Sequence, residues 1–343
     1  MADRGTATTS SATAGTPSPA ELSVILVAGS GPAGIARTMS HLRAQTARRR
    51  MEVLIVAESP VGFDLTALGG GEFAACRIVA VGPITERGAA AARGILAATS
   101  PIVGLIEDHS YPEPEWAAAL LRAHAGAWTG VGPTVGNANP ESAASWVNYI
   151  LGYGGFAPPL EAGERDLLPW HNSAYKRDVL TPFGDRLGPL LEWEGALQAE
   201  LLSRGHTLYL EPAACTYHSN VSSAWSTVTL NLQRGRILGA LRAERERWPM
   251  WRRVLQAAGF PLFPLLQLRH LLPAMHRLPV PPALRARVYV GLGGTLGLLA
   301  LAEVWGLLTG AGDAVARMED YELHRTRHLT RREREAGVPA SAS

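Results

Sequence analysis

Short apolar runs rich in β-branched residues alternate, along the first two thirds of the chain, with segments whose apolar positions recur every three or four residues. LSVILVA ends at Ala28, a helical ARTMSHLRAQTARRR follows, and EVLIVAES closes a β-α-β unit at Ser59. A glycine-rich link, Gly69 to Gly71, leads to a weaker strand, CRIVAVG. The alanine-rich helix RGAAAARGILAAT then precedes the apolar run PIVGLIEDH. PEPEWAAALLRAH reads as the next helix, and WTGVGPTVGNANPESAASWVNYILGYGG as a short strand and a helix among turn residues. From Leu190 a helix, LLEWEGALQAELLSRG, reaches a glycine stop at Gly205, and HTLYLEPAACTYH is a strand ending at His218. Strands alternating with helices imply a layered α/β fold on a mostly parallel sheet over residues 21–224.

Beyond Trp225 the pattern changes. WSTVTLNLQRGRILGALRAERERW is amphipathic and basic, VLQAAGFPLFPLLQLRHLLPAMHRL is apolar but broken by prolines, and Val288 to Leu308 carries a charge only at Glu303. An apolar stretch of about 20 residues is long enough to cross a bilayer. Arg245, Arg247, Arg252 and Arg253 precede the first long apolar segment, and Arg285 and Arg287 the second. Residues 225–330 therefore read as a membrane-associated helical region that crosses the bilayer or lies in its interface. Gly293 and Gly297 have a spacing that packs helices. Residues 1–20 are small and polar without an apolar core, a disordered tail rather than a signal peptide, and 331–343 read as a disordered basic tail.

Composition adds constraints. At 343 residues and 47% hydrophobic, the chain can bury a sizeable core. Its 32 basic and 30 acidic residues give a net charge of +2, which offers no global field for nucleic acid. Two cysteines, Cys76 and Cys215, are too few for a disulfide framework and fit a reducing compartment.

Gly29, Gly31 and Gly34 stand in G-x-G-x-x-G order between a strand and a helix, where Glu58 could hold a ribose hydroxyl. A flavin- or nicotinamide-dependent oxidoreductase is the alternative this raises, but no second cofactor pattern follows, and a glycine-rich turn is the better account. Parallel α/β sheets bind ligands at the carboxyl ends of their strands. Four polar sites fall at such ends: Glu58, the triplet Glu107-Asp108-His109, the HNSAYKR segment, and His218. Carboxylate and imidazole together suit Mn²⁺ or Mg²⁺, and strand alternation would point Glu107 and His109 the same way with Asp108 opposed. Asn172 can hydrogen-bond hydroxyls, and Lys176 can neutralise phosphate; Asn139 and Trp146 are secondary candidates for acceptor contact.

The order of these motifs over roughly Leu22 to Ser223 resembles the family-2 glycosyltransferases of the GT-A fold. It comprises a first strand, an acidic end to the second, RGAAAARG with Arg93, an apolar strand into an acidic triplet, N-S-A-Y-K-R, and an acidic helix before a glycine. The resemblance implies a GT-A-like Rossmann-type domain that moves a sugar from a nucleotide-diphosphate donor to a hydroxyl acceptor with inversion. It implies a donor site at Glu58, Arg93, Asp108, Asn172 and Lys176, and a metal held by Glu107, His109 and His218. Here Glu-Asp-His replaces the family's Asp-x-Asp, and Ala57 replaces a second acid usual beside Glu58. Counting back from Gly205 places Glu194 where the family carries its catalytic base, with Glu192 on another helical face as the second candidate. The tail LAEVWGLLTGAGDAVARMEDYELHR resembles bacterial membrane-associated members, which implies a lipid-linked or envelope-glycan acceptor at the cytoplasmic face of the cell membrane. A non-catalytic membrane scaffold is the remaining alternative.

Overall fold

The computed structural model describes residues 19–337; nearly all of the N-terminal tail and residues 338–343 lie outside them. Nine strands form one sheet in the order β3-β2-β1-β4-β8-β6-β9-β5, with β7 beside β9. They are β1 (Leu22–Val27), β2 (Met51–Ala57), β3 (Ala75–Ala80), β4 (Ile102–Ile106), β5 (Ser110–Pro112), β6 (Gly130–Asn137), β7 (Gly163–Arg165), β8 (Ala174–Lys176) and β9 (Leu208–His218). The half built on β3, β2, β1 and β4 is parallel; β8 runs antiparallel to both β4 and β6, and β6 is parallel to β9.

β2 and β4 are buried along their whole length, and β1 in all but its last residue, which is why their sequences are unbroken apolar runs instead of alternating ones. One face is covered by α1 (Gly31–Arg43) and α3 (Trp116–His124), whose Ile35, Met39, Leu42, Trp116 and Leu120 pack on Leu22, Val24 and Val53. The other is covered by α2 (Arg87–Ala97), α6 (Leu187–Glu192) and α7 (Glu194–Ser203), with the short α5 (Arg177–Leu180) leading into them. Gly94 lets α2 sit directly on the sheet, since a Cβ there would come within 2.6 Å of Ile25 Cγ2. The single helix expected from Leu190 is in fact two: Trp193 leaves helical geometry at φ −122°, ψ 76° and separates α6 from α7.

The C-terminal third is helical: α8 (Ala224–Arg245), α9 (Met250–Ala258), α10 (Phe263–Arg277), α11 (Pro282–Thr309), α12 (Ala314–Leu323) and α13 (Arg331–Gly337). It is not a separate layer. Trp146, Val147, Tyr149 and Ile150 of α4 (Ala143–Tyr153) share a core with Leu278, Val288, Leu292 and Leu296, so α11 packs against the sheet domain itself. α8 and α11 make their closest approach at Gly235, Gly239 and Gly306, where any Cβ would strike the partner helix. Gly293 and Gly297, the pair expected from the sequence, face open space instead. Among the described residues α11 alone is long and apolar enough to cross a bilayer, with a mean hydropathy of 1.5; 44% of that window is buried in the protein, and the rest is partly or fully exposed. The tail expected to be disordered from residue 331 begins with α13, whose Glu333 accepts hydrogen bonds from Asn139 and Ser222.

Candidate active site

β4 ends at Ile106, and the chain turns tightly, the Ser110 N–H donating to the Glu107 carbonyl at 3.0 Å. The triplet is thus a turn and not the end of a strand, and it is the turn that brings His109 Nε2 to 3.9 Å from Glu107 Oε1. β5 then pairs antiparallel with β9, Ser110 opposite His218. This register delivers His218 Nε2 to 3.3 Å from Glu107 Oε2. One ligand atom from each of Glu107, His109 and His218 lies within 4.8 Å of the other two, all three residues buried.

Both imidazoles are fixed through their other nitrogen. His109 Nδ1 donates to Asp108 Oδ1 at 2.6 Å, and His218 Nδ1 to Asn220 Oδ1 at 3.0 Å, tautomers assigned from those partners. Asn220 is held in turn by Asn137 and Asn139, and the Asp108 backbone by the Thr38 hydroxyl. Orienting a ligating histidine through its second nitrogen is the usual support for a metal site. His109 Nε2 is buried without a hydrogen-bond partner, and a cation among these three groups would satisfy it. Two imidazoles and one carboxylate form a donor set that a divalent cation can occupy.

Burial works against the Glu107 carboxylate, but His109, His218 and Arg87 overcome it and hold the group well below the usual carboxylate range. Arg87 Nη1 reaches Glu107 Oε1 at 3.0 Å and Glu322 Oε2 at 3.3 Å, while Asn172 Nδ2 and the Tyr153 hydroxyl donate to Glu107 Oε2. His171 accepts from Arg87 Nη2; burial, with Arg87, pushes its imidazole down to about 3, so it is neutral. Beside this cluster opens a cavity of about 300 Å³ lined by Tyr153, Trp170, Trp193, Glu192, Glu319 and Arg234, among others.

The expected base does not reach that cavity. The break at Trp193 turns Glu194 inward, where it is fully buried and accepts from the Tyr175 hydroxyl at 2.5 Å and from the His171 N–H. Burial raises its carboxyl to about 7. Glu192, the second candidate, lines the cavity and accepts the Gly88 N–H at 2.8 Å. Burial and a hydrogen bond with Glu192 raise Glu319 to about 8, so the Glu319 carboxyl keeps its proton at neutral pH.

Of the expected donor residues, Asn172 and Asp108 belong to the cluster, Asp108 as the support behind His109. Glu58 stands exposed at the end of β2 and accepts the Ile84 N–H at 3.0 Å. Arg93 is exposed and lines a separate groove with Asp185 and Pro189, because six residues separate it from Arg87, about 240° around the helix. Lys176 is at the wrong end of the sheet: β8 is antiparallel to β4, so Lys176 faces Ile102 at the amino end of β4 and bonds the Gly126 carbonyl. Arg87, Tyr153, Glu322 and Arg325 were not foreseen. Arg87 opens the RGAAAARG segment that was noted for Arg93, and Glu322 lies in MEDYELHR with no local pattern to mark it.

No protein-family model matches the sequence, and no curated protein matches it at a significant level. Solved structures do. A mannosyltransferase from Pyrobaculum calidifontis, in complex with GDP-Man and Mn²⁺, is similar at TM-score 0.51 and 14% identity, over 84% of this chain and 88% of its own. GalNAc-T7 with UDP, GalNAc and Mn²⁺ gives 0.44 at 13% identity, over 58% and 43% of the two chains. Residues 1–349 of TarS from S. aureus give 0.43 at 14%, over 88% and 91%. The first likeness shows the fold: a GT-A-like α/β domain, as the order of motifs implied.

Proposed function

We propose that this protein is a metal-dependent glycosyltransferase that moves a sugar from a nucleotide-diphosphate donor to a hydroxyl acceptor with inversion. The observation that carries the reading is the Glu107-His109-His218 cluster at the carboxyl end of β4, with both free imidazole nitrogens aimed at one carboxylate. A GT-A-like fold supports the donor class, as does the Mn²⁺ and GDP-Man content of the similar mannosyltransferase. A cation held by the three residues would supply positive charge to the leaving diphosphate. Arg87 would add a second positive charge from its place beside Glu107. Glu192 takes the role of base in this reading, because it faces the cavity and Glu194 does not. Tyr153, Trp170 and Trp193 give the acceptor side aromatic walls.

The acceptor in this reading is lipid-linked or an envelope glycan, met at the cytoplasmic face of the cell membrane. Between Glu246 and Glu303 the chain has seven arginines and no acidic residue. The same stretch exposes Met250, Trp251, Leu255, Leu262, Leu265 and Val290, an apolar and cationic surface suited to anionic lipid. Free thiols at Cys76 and Cys215 support the cytoplasmic side. The test is donor turnover: purified protein with Mn²⁺ and a panel of UDP- and GDP-sugars, scoring release of nucleoside diphosphate with and without EDTA. Release that EDTA abolishes supports the reading, and no release across the panel with membrane extract as acceptor source contradicts it.

A further inference from the structure

The crevice at the carboxyl ends of β1 and β4 is where an α/β sheet of this kind receives a nucleotide. In this structure it is filled by the chain itself. Leu323, at the end of α12, packs into the core against Ile25 and Val27, and a Cβ on Gly29 would lie 2.6 Å from its Cδ2. The Ser30 hydroxyl donates to the Leu323 carbonyl. Its neighbour Glu322 places a carboxylate 3.3 Å from Arg87 Nη1, 2.7 Å from Arg325 Nη2 and 3.8 Å from His109 Nε2. An anion thus sits against the metal cluster and its arginine, where the diphosphate of a donor would sit. The space left among Ile25, Arg87, Asp108, His109 and Leu323 is about 20 Å³, room for roughly one water.

We infer that residues 314–325 form an autoinhibitory strap that occupies the donor crevice and must leave it for the nucleotide to bind. The inference rests on the glycosyltransferase reading above. The segment is anchored beyond both ends. Upstream, Gly310 (φ 82°) and Gly312 (φ 53°) supply a turn open only to glycine, held by Arg236 on the Gly310 carbonyl. Downstream, the His328 carbonyl accepts the N–H groups of Ser222 and Ser223, and Glu333 bonds Asn139. Between these anchors Leu323 fills the crevice, the Ser30 hydroxyl bonds the Leu323 carbonyl, Glu322 pairs with Arg87, and Glu319 accepts the Arg87 N–H, while Tyr321 and Met318 pack on Val221 and Leu230 of the neighbouring elements. A metal-bound diphosphate can take the place of the Glu322 carboxylate on Arg87 and of the carbonyl on Ser30, and the apolar contacts of Leu323, Tyr321 and Met318 are what opening must break. Displacement frees Arg87 and Ser30 for the donor. A strap that is mostly closed lowers the apparent donor affinity by the fraction of open molecules.

Calorimetry with Mn²⁺ and GDP or UDP tests this on three forms of the full chain: the wild type, Leu323→Ala, and the double variant Gly29→Cys/Leu323→Cys. The Cβ of Leu323 lies 3.1 Å from the position of a Gly29 Cβ, so a shift of a few tenths of an ångström brings the pair to the roughly 3.5–4.5 Å of a disulfide that locks the strap. The strap predicts that Leu323→Ala binds the nucleotide tighter, by about tenfold if the open form is then fully populated from a tenth. It also predicts that the oxidised double variant binds none until reduced. Equal affinity in the oxidised and reduced double variant, or weaker binding by Leu323→Ala with its fold intact by circular dichroism, overturns the strap and leaves the transferase reading standing. No nucleotide binding by any form, the reduced one included, overturns the transferase reading and the strap with it.

Discussion

Ser110 and His218 lie opposite each other across the antiparallel pair of β5 and β9, and this register completes the Glu107-His109-His218 cluster. The turn from Glu107 to Ser110 sets the start of β5, so the position of His218 against Glu107 depends on the same four residues that present His109. Two of the three clustered side chains sit on one turn, and the third comes from the strand paired with the segment that follows that turn.

The supports behind the histidines should therefore matter nearly as much as the ligands. Asp108→Ala frees His109 Nδ1, and Asn220→Ala frees His218 Nδ1. Each should weaken Mn²⁺ binding by roughly 10–100-fold, with a stability loss of about 1–3 kcal/mol for the buried partners left unpaired. Electron paramagnetic resonance of free Mn²⁺ reads the affinity directly; unaltered affinity in both variants would remove the supports from the account.

Glu192 and Glu194 should separate cleanly. Glu192→Gln should lower turnover by roughly 10²–10⁴-fold with little change in KM, the range for loss of a general base. Steady-state kinetics on that variant decides the assignment, and a turnover within a factor of about two of wild type, far below that range, would exclude Glu192.

Glu194 should instead show itself in stability. Its folded carboxyl titrates near 7 because of burial, against an ordinary value of 4.5 in the unfolded chain, so the folded state binds more protons between these values. Its contribution is fully favourable below about pH 4.5 and is lost as pH rises through about 7, on the order of 3 kcal/mol in all. Urea unfolding from pH 4.5 to 8 should show this falling slope in the wild type and a flatter one in Glu194→Gln.

Two identical substitutions on α11 should have opposite results. Gly306→Ala drives a Cβ into the Arg236 carbonyl on α8 and should cost about 1–3 kcal/mol or more. Gly293→Ala meets nothing within 4 Å and should be neutral or stabilising by up to about 1 kcal/mol from helix propensity. Thermal unfolding of both in the same detergent compares them.

The exposed face of α9 should bind anionic vesicles. Trp251 is 68% exposed and Leu255 62%, with Arg252 and Arg253 between them. Flotation with phosphatidylglycerol vesicles should recover the wild type, and Trp251→Asp/Leu255→Asp should fall at least about tenfold. Higher salt should weaken the wild type further, and equal recovery on neutral vesicles would contradict the charge argument.

What the sequence revealed follows from how local each feature is. β1, β2 and β4 were legible because strands buried on both faces are apolar throughout. Glu107 and His109 were legible because they are neighbours in the chain. The break at Trp193 was not, since the apolar spacing of LLEWEGALQAELL continues through it; counting residues back from Gly205 found Glu194 but not the direction it faces after the kink. Lys176 was misplaced because its segment does not reveal that β8 runs antiparallel. Glu322 sits more than two hundred residues from Arg87, and only the packing of α12 brings them together.

The central claim, a metal-dependent nucleotide site at Glu107, His109 and His218, is tested most directly by calorimetric titration with UDP and with GDP, each with and without Mn²⁺, on the wild type and His109→Ala. The account predicts that one nucleotide binds the wild type only when Mn²⁺ is present, and that His109→Ala loses this binding. Binding that is indifferent to Mn²⁺ or to His109, or no binding of either nucleotide under any condition, would contradict it.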